Sequence, residues 1–99
     1  MRLSYHPSVQ KDVNEILEYY QQAGGEGLAD RFYAELSTHL QALSEHPERC
    51  PFYLGTPPFR RMRLKRFPHI IVFRILHDRV RIMVIKHEKR HPAFGMRRQ

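Results

Sequence analysis

Carboxylates are scarce in the second half of this chain. Residues 60 to 99 hold two of them against thirteen lysines and arginines, a net charge of 13 − 2 = +11. Residues 1 to 59 hold eight acidic and four basic residues, net −4. A half so poor in negative charge points to an acidic or polyanionic partner. Cysteine is nearly absent: Cys50 stands alone, which excludes an internal disulfide and fits a reducing cytoplasm. No run of about 18 apolar residues exists, so no membrane span is expected. The N-terminal MRLSYHPS lacks the apolar stretch of a signal peptide. Neither a glycine-rich phosphate loop nor a Ser–His–Asp or Cys–His spacing stands out, and no tyrosine follows Tyr53.

What is present suffices for one core. The chain has 99 residues, 41% of them hydrophobic, and that length suits a single domain over 1–99. Leu3 and Tyr5 alternate in a short first strand, residues 2 to 6. Val9, Val13, Ile16, Leu17 and Tyr20 recur at helical spacing after Pro7 and Ser8, and Gly24 and Gly25 end that helix. A second helix is expected from Glu26 to Glu45, its stripe formed by Leu28, Phe32, Leu36, Leu40 and Leu43. The short link makes the two an antiparallel hairpin. The proline-dense HPERCPFYLGTPP is loop.

Three strands follow, RRMRLKRF, HIIVFRIL and RVRIMVIKH. Met62 and Leu64 face one way, and Arg61, Arg63 and Lys65 the other. Ile71, Phe73 and Ile75 oppose Ile70, Val72, Arg74 and Leu76. Strict alternation in the last strand sets Val80, Ile82 and Val84 against Arg79, Arg81, Met83, Ile85 and His87. The expected fold is α+β, ordered β-α-α-β-β-β, with an antiparallel meander and a two-helix hairpin on one face.

A strand as apolar as HIIVFRIL needs cover on both faces, and the hairpin covers only one. The far face mixes Ile70, Val72, Met83 and Ile85 with Arg74, Arg79 and Arg81. Such a surface is expected either to bind a partner or to lie under residues 88 to 99.

HEKRH, residues 87 to 91, matches a zinc-protease pattern that works only on a helix. On extended chain the two imidazoles would stand ~13 Å apart, too far to share an ion. No metal or other cofactor is therefore expected. His87 is read either as a general base on a ribose hydroxyl, with arginines stabilising the phosphate, or as a structural histidine at a strand end. Phe94, in the tail, is the best candidate for an exposed aromatic.

FRRMRLKRFPHIIVFRILHDRVRIMVIKHEKRHP, residues 59 to 92, resembles the pattern of the RelE/ParE superfamily of toxins from bacterial type II toxin–antitoxin systems. YHPSVQKDVNEILEYY and LADRFYAELSTHLQALSEHPERCP resemble the superfamily's two helices. The resemblance implies a growth-inhibiting, plasmid-stabilising toxin held by an acidic, partly disordered antitoxin in a hetero-oligomer. RelE-like members cut mRNA on the ribosome; ParE-like members bind DNA gyrase and are not nucleases. Carried over by position, a RelE-like site would use Arg63, Lys65, Arg81, His87 and Arg90. Tyrosine is missing there, and Phe94 cannot transfer a proton, so the balance tips to the ParE-like side. A basic module that binds a partner without toxicity is the further alternative.

Overall fold

A computed structural model describes residues 1–99. Strand β1 (Arg2–Tyr5) leads into helix α1 (Val9–Gly24), then α2 (Glu26–Glu45). Two short 3-10 turns, Pro47–Arg49 and Tyr53–Gly55, precede β2 (Phe59–Arg63), β3 (His69–Ile75) and β4 (Arg79–His87). The helices are separated by Gly25 alone, whose φ of 83° is open to glycine without steric cost.

The sheet order is β1-β4-β3-β2. The meander β2-β3-β4 is antiparallel, as expected. The first strand joins it parallel to β4, pairing Leu3 with Val80 and Tyr5 with Ile82, so the sheet is mixed. The helical hairpin covers one face. Val9, Val13, Phe32, Leu36 and Leu43 pack there against Ile71, Phe73, Val80, Ile82 and Ile85, which is the main driving force for folding.

Alternation holds in β3 but fails in β4. Val72 pairs with Val84 and Phe73 with Ile82, leaving Met83 as an extra residue in a β-bulge. The bulge reverses the pleat beyond it. Ile85 therefore joins the helix-side core and Val84 the far side, the opposite of strict alternation. Beyond Tyr5, β4 has no strand neighbour on that edge. Asp12 of α1 accepts the Ile85 N–H at 3.1 Å, and Arg98 donates to the Met83 carbonyl at 2.9 Å, so side chains replace the missing strand.

Candidate functional site

The far face of the sheet is laid out by register. Residues directly paired across strands share a face, so three rows cross it. Phe59, Arg74, Arg81 and Ser4 form one row, Arg61, Val72 and Val84 the next, and Arg63, Ile70 and Lys86 the last. Arg63, Arg74 and Arg81 thus lie on one side of the sheet.

The apolar part of this face is sealed by the chain itself. Tyr53, Phe94 and Met96 pack over Ile70, Val72 and Val84. Lys86 is buried beneath them, its Nζ donating to the carbonyls of His91 (3.3 Å), Pro92 (3.0 Å) and Phe94 (2.9 Å). The Tyr53 hydroxyl donates to the Pro92 carbonyl as well. A buried ammonium is tolerable only with such a set of acceptors. Gly95 has φ +80°, and a Cβ there would stand 2.7 Å from Val84, so the tail lies against the sheet where only glycine fits.

Arg98 completes the seal. Its guanidinium grips the Asp12 carboxylate with two bonds, 2.7 and 2.8 Å, in a largely buried pair. Asp12, Lys86 and Arg98 were not singled out by sequence reasoning. One signal for Asp12 exists: it falls three residues after Val9 and four before Ile16, on the apolar stripe of α1. An acid in that position demands a buried partner.

Four residues assigned to partner binding are consequently not open. Ile70, Val72, Met83 and Ile85 are all buried, and Ile85 faces the helices. Of that set only Arg74 and Arg79 keep partial exposure. Arg79 is engaged at home, donating to Ser4 Oγ and pairing with Asp78, which also meets Arg2.

Arg74 and Arg81 are different. They face each other across β3 and β4, and neither makes an ion pair. The Arg74 Nε is shielded yet has no acceptor, and its guanidinium carbon stands 5.8 Å from the centre of the Phe59 ring. Arg81 reaches only the main-chain oxygen of Gln99, at a long 3.5 Å. Like charges paired directly across strands repel, so this row carries positive charge that no acid of the chain compensates.

The five residues that a RelE-like site would use are dispersed. Arg63 pairs with Glu88 at 3.4 Å. Lys65 lies beyond the end of β2, where its N–H and that of Arg66 both bind the Glu35 carboxylate of α2 at 2.8 Å. His87 falls on the helix side, its ring 5.5 Å from that of His69. It is six residues along β4 from Arg81, about 20 Å at the usual rise. Only His87 and Arg90 meet, lining a cleft of about 390 Å³ beside Glu15, Tyr19, Tyr20 and His69. Arg90 itself stacks on Phe94, guanidinium carbon to ring centre 3.8 Å. Phe94 is accordingly half-buried between two arginines rather than free.

His69 is neutral in this setting. Burial pushes its pKa down to about 4, and His87 adds to the effect. Tyr20 and Phe32 surround the ring, with centroids 5.8 and 5.0 Å away.

Residues 3–92 match the family model described as the ParE toxin of the type II toxin–antitoxin system, parDE. The chain belongs to the ParE toxin family. Among solved structures, the ParE-family fold found here is similar to that of a chain described as "Chromosomal ParDE TA system from P. aeruginosa". The TM-score is 0.79 at 19% identity, over 88% of this chain and 95% of that one. No curated protein sequence matches this ParE-family chain. No helix is long and apolar enough to cross a membrane.

Proposed function

We propose that this ParE-family chain is a growth-inhibiting, plasmid-stabilising toxin of the cytoplasm, silenced by an acidic antitoxin, and that it acts by binding DNA gyrase. The observation that supports binding over cleavage is the separation of His87 from Arg81, on opposite sides of the sheet and about 20 Å apart. A general base must come within hydrogen-bond reach of the proton it removes, and a phosphate held at Arg81 lies far outside that range.

Binding needs no such convergence. Carboxylates of an acidic antitoxin would pair with Arg74 and Arg81, neither of which makes an ion pair within the chain. The apolar anchors would enter a cleft of about 350 Å³ between the helices and β1, lined by Val13, Tyr33, Leu36 and Leu40. That cleft replaces the sealed apolar residues of the far face as the docking place.

Induced expression decides between targets. Inhibited supercoiling by gyrase with intact mRNA is the expected result. Messenger cut at ribosomal A-site codons, and lost on His87→Ala, would replace this reading with a RelE-like nuclease. The shared cleft of His87 and Arg90 is what would favour that alternative. Harmless expression would leave a basic binding module.

A further inference from the structure

We propose that Arg74 and Arg81 form a binding site for a phosphodiester group of a nucleic-acid backbone, held and not cut. The ligand goes beyond gyrase and antitoxin, both of which are protein surfaces, and it would compete with the antitoxin's carboxylates for the same two arginines.

The two guanidinium groups rise from directly paired positions on neighbouring strands. Without a bridging anion they repel; a single phosphate between them removes that repulsion and accepts from both. No aspartate or glutamate side chain fills the position, and Arg81 meets only the main-chain oxygen of Gln99, at 3.5 Å. The two acids of residues 60 to 99 are occupied elsewhere, Asp78 by Arg2 and Arg79, and Glu88 by Arg63. Arg74 forms no ion pair, and because its Nε is shielded a phosphate would be met by the outer nitrogens of the guanidinium.

A phosphodiester fits better than a carboxylate side chain for two reasons. Phe59, half-buried against Tyr53, Ile70, Val72 and Val84, ends the same row with the Arg74 guanidinium 5.8 Å from its ring centre, so an aromatic ring adjoins the anion site. That pairing of a stacking ring with arginine suits a base next to its phosphate. Arg61, one row away on the same face, also has no ion pair, which continues the cationic track as a repeating backbone requires. His87 lies beyond the bulge and on the opposite face, whereas His6, two residues after Ser4 of this row, has its pKa lowered by burial and by Arg98 and Arg81, and its Nδ1 already accepts from the Ser8 N–H.

The test uses the full chain and short fluorescein-labelled probes of one sequence as single-stranded DNA, duplex DNA and RNA. Anisotropy is followed over a salt series. At least one probe is expected to bind, with affinity falling linearly in log–log form as salt rises. The Arg74→Gln/Arg81→Gln variant should bind about tenfold more weakly and lose about one from the salt slope. The Lys11→Gln/Arg31→Gln variant removes the same charge from exposed positions on the helices and should stay within about twofold. Arg74→Lys/Arg81→Lys keeps the charge but not the planar fork and should fall between them. Thermal melting of each variant verifies that it is folded, and the lysine variant serves if the glutamine one is not. Relative affinity for the three probes identifies the source of the phosphate. Equal losses in the two glutamine variants would overturn the proposal, as would no binding to any probe. Cleavage of a probe by the wild-type chain, or displacement of every probe by polyglutamate as efficiently as by unlabelled nucleic acid, would do the same.

Discussion

The far face of the sheet has two halves that treat charge in opposite ways. In one, every buried charge is answered: Lys86 by three carbonyls, Arg98 by Asp12 and the Met83 carbonyl. In the other, Arg74 and Arg81 face each other with no acid between them. The first half serves stability, and the second is the half for which recognition is proposed. A cation left unpaired destabilises its own fold slightly and favours an outside anion by the same interaction.

The largest effect should come from opening the sealed half. Arg98→Ala leaves the Asp12 carboxylate buried without its guanidinium, and is expected to cost about 3–5 kcal/mol. Urea unfolding measures it, and dye binding should report exposure of Val72 and Val84 as the tail lifts. A loss below about 1 kcal/mol would show that the two halves do not differ as described.

Acid should come next. The His69 pKa is about 4 in the fold against 6.5 for the free side chain, so protons bind the unfolded chain more tightly between those values. Stability from this group is complete above about pH 6.5 and declines as pH falls toward 4, by roughly 3 kcal/mol in all. In His69→Phe the unfolding free energy should be flatter over that window. Parallel slopes for the two proteins would assign the acid sensitivity to other groups.

Gly95→Ala probes the tail without touching a charge. The strained φ and the approach to Val84 should cost about 2 kcal/mol, with faster amide exchange at Phe94 and Met96. Slow exchange retained there would mean that the tail shifts at little cost.

The smallest effect on stability belongs to the open half. Arg81→Gln should change unfolding free energy by no more than about 0.5 kcal/mol in either direction. The same variant should weaken capture by an acidic antitoxin, measured by titration calorimetry. A large stability loss with unchanged antitoxin affinity would reverse the roles of the two halves.

Much of this was legible in the residues. The stripes from Val9 to Tyr20 and from Leu28 to Leu43 became α1 and α2, because a helix buries side chains at a fixed angular period. In β3, Arg74 sets the parity and the alternation held. In β4 it did not. Ile82, Met83, Val84 and Ile85 are all apolar, so a pleat reversed by one residue leaves no polar side chain on the wrong face to betray it. The grouping of Ile85 and His87 with Arg81 failed for that reason. Cover by residues 88 to 99 was legible as one of two outcomes, and the tail took the apolar half while leaving Arg74 and Arg81 half-buried and without an ion pair.

Composition and periodicity by themselves determined the order of elements, the helical hairpin over the meander and the excess of guanidinium groups in residues 60 to 99. These depend on neighbours within a few residues and on simple counting. Which cations remained free was decided only in three dimensions. Asp12 meets Arg98 across 86 residues and the Ile85 N–H across 73, and no local pattern encodes such a meeting. The energy of a charge depends on what surrounds it after burial, and the folded chain alone sets those surroundings.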